Sequence, residues 1–258
     1  MVSLQLMTRP VTSAGVLVAQ VLHAAHRNDL PSLQNQDPSG VFGDPALPPL
    51  RIVVLGDSSV TAPGVEPLDA SWPRRLALHL AERYRVTLES VAVGGSKVRD
   101  VLNTQLDAAV AMNADMALIS VGANDALRAT RVPRYEAELH RVVERLTDRV
   151  PMVGLSGVGD LGTLDRLPTL ARAIARVRGR AVDHAILRVV RRFPGVAKSR
   201  TWGGEWRAFE YDPATFAADL FHASAVGHAY FAAAMIPVAE RLLEAYGAAR
   251  LNDSPGSL

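Results

Sequence analysis

The chain has 258 residues, 48% of them hydrophobic, and its 28 basic and 26 acidic side chains leave a formal charge of only +2. That size and apolar content suit one globular domain with a sizeable core, and no run of like charge is long enough for a nucleic-acid-binding arm. The absence of cysteine excludes disulfides, thiolate metal ligands and a cysteine nucleophile, and it fits a reducing compartment, which favours a cytoplasmic over an envelope-associated placement.

Val11 to Leu22 form a short apolar stretch after Arg9. It is shorter than the roughly 20 apolar residues that a membrane span needs, and Thr12, Ser13 and Gln20 dilute it. It reads either as a signal or anchor core or as an amphipathic helix packed on the domain. Residues from about Asn28 to Pro49 are rich in Pro, Asp, Asn, Gln, Ser and Gly and read as an irregular connector. The expected organisation is therefore an N-terminal helix and connector over 1–49, one main globular domain over 50–250 and a flexible tail over 251–258.

From Leu50 onward, short apolar runs alternate with helix-period segments, the pattern of a parallel sheet with crossover helices. Strands are expected at Leu50–Leu55, Arg85–Val91, Met116–Val121, Met152–Leu155 and Gly195–Arg200. Helices are expected at Ser71–Arg83, Arg99–Met112, Pro133–Arg149, Leu167–Phe193 and Ser224–Tyr246. Trp72-Pro73 opens and packs the first of these, Pro133 suits a first helical turn, and Gly179 is expected to break or kink the fourth. A three-layer α/β/α sandwich with right-handed connections is the economical architecture.

Chemistry-bearing residues cluster where strands end, the place at which an open α/β sheet presents its site. Gly56-Asp57-Ser58 follows the run Ile52 to Leu55, and Gly122-Ala123-Asn124-Asp125 follows Met116 to Ile119. Acyl transfer at a serine needs an exposed hydroxyl, a base, a group that fixes the base's tautomer, and donors for the oxyanion. Ser58 supplies the hydroxyl, and Asp57 beside it is a candidate lining residue. His222 is the candidate base, and Asp219, three residues earlier, reaches it from the same turn. The Ser58 N–H, the Asn124 amide and the turn Val93-Gly94-Gly95-Ser96 are candidate oxyanion donors.

Gly-Asp-Ser-Ser at 56–59, the glycine turn at 94–95, Gly-Ala-Asn-Asp at 122–125 and Asp-Leu-Phe-His at 219–222 together resemble the four blocks of the SGNH/GDSL hydrolases, from Arg51 to about Tyr246. The resemblance implies a flavodoxin-like sandwich and an esterase or lipase without metal or organic cofactor. By it, Ser58 is the nucleophile, His222 the base and Asp219 the third member, while Gly95 and Asn124 complete the oxyanion hole with the Ser58 amide. Two positions depart from the pattern. Ser90 stands where the second block usually carries asparagine, which leaves Gly94 and Gly95 both open as donors, with spacing favouring Gly95. Ala223 follows the histidine where proline is common.

Blander roles compete at each position. Gly-Asp-Ser can be an ordinary helix-capping turn, and Asn124-Asp125 a helix N-cap. None of His23, His26, His79, His140, His184 and His228 has a matching carboxylate in a setting comparable to that of His222, and no spacing favours zinc. Trp202 and Trp206 read equally as a hydrophobic substrate wall and as anchors for a long loop. The segment Asp165 to Phe193 holds eight arginines (166, 172, 176, 178, 180, 188, 191, 192) against two acids, a local +6. It would dock weakly on an anionic membrane surface or form a solvated face, and the small net charge favours the second.

Among other classes, an α/β-hydrolase would need Gly-x-Ser-x-Gly, and Gly154 to Val158 ends in valine. A nucleotide-binding module would need a glycine-rich phosphate cradle after the first strand, which Gly56-Asp57-Ser58-Ser59 is not. A carbohydrate O-deacetylase or an acyltransferase would use the same triad. The expected partner is a small-molecule or lipid ester, with no nucleic acid.

Overall fold

The structure is a computed structural model and describes residues 29–253. The stretch 11–22 lies outside the described residues, as does the tail beyond Asp253. A six-stranded sheet is built from β1 (Gly40–Phe42), β2 (Pro49–Gly56), β3 (Arg85–Ser90), β4 (Met116–Ser120), β5 (Met152–Leu155) and β6 (Ala197–Lys198), in the order β1-β3-β2-β4-β5-β6. The last five are parallel, and their order is that of the flavodoxin-like doubly wound sheet. β1 is antiparallel to β3, so the sheet is mixed.

Parallel strands buried on both faces require apolar residues at every position, and β2 shows how they are shared. Ile52 and Val54 face one layer while Val53 and Leu55 face the other, because successive side chains of a strand point to opposite sides. β4 divides in the same way, Met116 and Leu118 against Ala117 and Ile119. One layer contains α1 (Ser58–Thr61), α2 (Trp72–Leu80) and part of a long helix that closes the chain. The other contains α3 (Val98–Asp100), α4 (Leu106–Ala111), α5 (Ala123–Leu127), α6 (Val132–Thr147) and α7 (Thr169–Val190). After β6 come the short α8 (Ala208–Tyr211) and the closing α9 (Ala225–Asp253).

Four expectations differ in detail. The connector contributes β1, whose three residues, Gly40-Val41-Phe42, are too few to show a strand's alternation within their Pro-, Asp- and Gly-rich surroundings. The helix expected over Arg99–Met112 is interrupted by a π-turn over Val101–Gln105. Gly179 does not break α7. It is buried inside the continuous helix, and a Cβ there would lie 3.1 Å from the Gly159 carbonyl oxygen and 3.2 Å from Leu161, so glycine lets the loop after β5 approach closely. α9 runs to Asp253, beyond Tyr246 and into the segment expected as a tail.

Candidate active site

Ser58 is the first residue of α1, immediately beyond the carboxyl end of β2. The turn depends on Gly56. Its φ is +151°, and a Cβ there would fall 2.0 Å from the Ser120 carbonyl oxygen, so only glycine allows the ends of β2 and β4 this close. Asp57 caps α1, its Oδ1 accepting from Ser59 N–H at 2.9 Å. The π-turn aims the buried Gln105 at the same turn. Gln105 Oε1 accepts from Gly56 N–H at 2.8 Å, and Nε2 donates to Gly56 O at 2.9 Å and to Ser96 Oγ at 3.1 Å.

β3 is followed by a turn from Val93 to Ser96, closed by Ser96 N–H donating to Val93 O at 3.2 Å. Gly95 occupies its third position with φ +79°, the geometry of a type II turn, which asks for glycine there. Gly94 backs onto Asn35, and a Cβ on it would meet Asn35 Oδ1 at 2.0 Å. Both glycines line a cavity with Ser58, Asn124 and His222. Asn124, in α5, donates from Nδ2 to Asp57 Oδ2 at 3.3 Å, which leaves the amide's second N–H for a ligand. Burial pushes the Asp57 carboxyl above its ordinary value, against the opposing pull of its hydrogen bonds from Ser59 and Asn124 and of the His222 charge.

Asp219 and His222 share one tight turn. Asp219 Oδ1 accepts from the backbone N–H of Phe221 (3.1 Å) and of His222 (3.0 Å), and Oδ2 bonds His222 Nδ1 at 2.6 Å. Burial alone would raise the Asp219 pKa, but these hydrogen bonds and the His222 charge outweigh it and hold the carboxyl below its usual value. An ionised carboxylate only accepts, so Nδ1 carries a proton, and in the neutral imidazole Nε2 is then the atom with the lone pair. That is the tautomer a general base requires.

Two cavities meet at Ser58 and His222. The smaller, about 150 Å³, is walled by Trp206, Phe209, Phe216, Phe221 and Phe231. Trp206 stacks on Phe209 and Phe231 with centroids 5.7 and 5.4 Å apart. The larger, about 630 Å³, lies on the side of the glycine turn and Asn124. The two tryptophans therefore part company. Trp206 faces the smaller cavity, whereas Trp202 lines neither. Its Nε1 donates to Val158 O at 2.7 Å and Arg180 lies over its ring, so it anchors the loop.

Most of the arginine-rich segment is engaged within the fold. Arg172 and Arg176 pair with Asp165 and Asp160, and both Arg188 and Arg192 pair with Glu136. Arg178 donates to the carbonyls of Ala126 and Thr130. Among the described residues no helix is long and apolar enough to cross a membrane, and no group of three or more His, Asp or Glu is placed to hold a metal ion.

The family model of the GDSL-like lipase/acylhydrolase family matches residues 54–230. The chain belongs to that family. A GDSL-like esterase of Mycobacterium tuberculosis is 28% identical over 186 residues, 70% of this chain; the chain spans 58% of that relative's length. As a GDSL-family fold, the chain also resembles solved structures. TesA superposes with a TM-score of 0.62 at 19% identity, covering 74% of this chain and 99% of TesA. A catalytic mutant of Axe2, an acetylxylan esterase from Geobacillus stearothermophilus, superposes at 0.57 and 19% identity, covering 74% and 94%.

Several residues around this GDSL site escape a reading of the sequence. Gln105 looks like any polar residue of an amphipathic helix. Asn35 sits in the connector. His228 lines the smaller cavity. Burial lowers its pKa to about 3, so it is neutral, and its Nδ1 accepts from Trp72 N–H at 3.1 Å. Trp72 Nε1 in turn donates to Ser59 O at 2.7 Å, which links His228 to the residue after Ser58. The departures from the family pattern are accommodated: Ser90 Oγ lies 3.4 Å from Ala92 N at the end of β3, and Ala223 pairs with Phe216 beside the smaller cavity.

Proposed function

We propose that this protein is a serine esterase that cleaves carboxylic esters through an acyl-enzyme on Ser58. The observation that carries the reading is convergence: Ser58 and His222 line both cavities, Asp219 holds His222 through Nδ1 at 2.6 Å, and Gly95 and Asn124 line the larger cavity beside them. His222 Nε2 takes the Ser58 proton as Oγ attacks the ester carbon, and Asp219 stabilises the imidazolium. The developing oxyanion is held by the N–H groups of Ser58 and Gly95 and by the Asn124 amide, one such donor being worth about 2.7–4 kcal/mol. The imidazolium passes its proton to the departing alcohol. Water activated by His222 then releases the acid.

The small aromatic cavity favours short acyl groups. It equally suits removal of acetyl groups from a carbohydrate, the activity named for the Axe2 enzymes that share the fold. Hydrolysis of p-nitrophenyl esters from acetyl to palmitoyl tests the proposal, with Ser58→Ala and His222→Ala as controls. We expect a short-chain optimum and a loss of about 10⁴-fold or more in either variant. A folded Ser58→Ala protein that retains substantial turnover would sink the serine mechanism. Acetylated xylo-oligosaccharides cleaved far faster than any aryl ester would favour the deacetylase.

A further inference from the structure

The larger cavity carries an unusual charge distribution. Arg128, Arg166 and Arg178 line it, and no aspartate or glutamate does. Each is positioned by the site itself. Arg128 donates to Gly95 O at 3.2 Å, on the candidate oxyanion turn. Arg178 donates through Nε to Ala126 O (2.6 Å) and through Nη2 to Thr130 O (2.7 Å), either side of the end of α5, which carries Asn124. The Arg166 backbone N–H donates to Leu220 O at 3.1 Å, inside the turn that joins Asp219 to His222. The neighbouring acids are already engaged: Asp165 with Arg172 and Asp160 with Arg176, both at 2.8 Å. None of the three cavity arginines has an ion-pair partner among the described residues. By contrast, Asp57 and Asp160 line the smaller, aromatic cavity.

We infer that the larger cavity is a subsite for an anionic group, a carboxylate or phosphate, carried on the alcohol side of the ester. The inference rests on the proposed serine mechanism. During turnover the acyl group stays on Ser58 while the alcohol departs and water enters, so the alcohol needs the roomier compartment. The small aromatic cavity is left to the acyl group. Guanidinium groups match carboxylate and phosphate oxygens with paired, charge-assisted hydrogen bonds, and no carboxylate in the lining neutralises their charge. Ile174, Ala171 and Leu167 supply an apolar floor for the body of the alcohol.

The test compares 3-acetoxybenzoate with its neutral isostere 3-acetoxybenzamide, which share the acyl group and differ in the charge of the leaving alcohol. We expect kcat/KM to favour the anion about tenfold through KM, the scale of one charge-assisted hydrogen bond. That preference should shrink as salt is added, fall to near one in Arg166→Gln, and persist in Arg191→Gln, which alters an exposed arginine outside the lining. No preference in the wild-type protein, or an unchanged one in Arg166→Gln, overturns the subsite. A preference confined to acyl-side anions, read with p-nitrophenyl hydrogen adipate against the adipamate, overturns its assignment to the alcohol. If neither ester is cleaved, or Ser58→Ala cleaves both, the serine mechanism fails. Calorimetry with 3-hydroxybenzoate then still decides the subsite: binding about tenfold weaker in Arg166→Gln supports it, and equal or absent binding rejects it.

Discussion

Gln105 grips both backbone groups of Gly56, accepting from its N–H at 2.8 Å and donating to its carbonyl at 2.9 Å. A buried side chain thus stands in for a sheet partner at the point where β2 has ended and the turn to Ser58 begins. The same amide reaches Ser96 Oγ, so one residue ties the turn that carries Ser58 to the glycine turn. Gln105→Leu leaves the Gly56 N–H buried without a partner, a cost of about 1–3 kcal/mol. For a domain of this size that lowers Tm by roughly 2–4 °C per kcal/mol. Calorimetry should show that shift, and kcat should fall about tenfold with KM little changed, since a displacement of the turn misaligns Ser58 more than it weakens binding.

The Asp57–Asn124 contact gives a second prediction. Asn124→Ala removes a candidate oxyanion donor and should lower kcat by about 10²–10³-fold. Asp57→Asn keeps a side-chain oxygen for the cap on α1 but sets one amide against another at Asn124. It should lower kcat by one to two orders of magnitude with a smaller effect on stability. Because both changes act on one donor, the double variant should lose much less than the product of the two single losses. Strictly multiplicative losses would mean that Asp57 does not act through Asn124.

Asp125 supplies a pH signature. It is fully buried beneath the site, and its Oδ2 accepts from Val98 N–H at 2.9 Å. Burial raises its pKa from 3.8 to about 6, against the pull of hydrogen bonds from Val98 and Thr130 and of the Lys97 charge. A carboxyl whose pKa is raised on folding binds its proton more tightly in the native state. Its contribution to stability is therefore fully present below about pH 4 and lost as pH rises through about 6, a change of roughly 3 kcal/mol. Asp125→Asn cannot titrate. The difference in unfolding free energy between wild type and variant, from urea titrations at pH 4, 5, 6 and 7, should move in the variant's favour across that window and level off above it. A flat difference would place the Asp125 pKa near its ordinary value.

The two tryptophans predict opposite phenotypes. Trp206→Ala opens the aromatic wall, so the acyl-length optimum should move to longer chains, read from the p-nitrophenyl series. Trp202→Phe removes the hydrogen bond to Val158 O and should cost about 1 kcal/mol of stability, leaving the acyl-length optimum where it was. An altered optimum in Trp202→Phe would return that residue to the substrate wall.

Much of this was legible along the chain. β2, β4 and β5 fall within one residue of the apolar runs expected as strands, since strands buried on both faces must be apolar throughout. Ser58, Asn124 and the Asp219–His222 pair stand out because strand ends and a three-residue spacing are local features. β1 was not legible, because the three residues Gly40-Val41-Phe42 are too few for a periodic signal and become a strand only by pairing with β3. Nor was the π-turn, which is stable only because Gln105 finds Gly56 and Ser96.

The sequence by itself determined the sheet's buried strands, the family and the residues that carry the proposed chemistry, since each depends on periodicity or on contacts a few residues apart. Tertiary structure alone decided which glycine takes the positive-φ turn position, which tryptophan faces the smaller cavity, and that three arginines from distant segments line one cavity without an acid. Those relationships join residues up to fifty positions apart or more. Hydrogen bonding and burial select them only after the chain has folded.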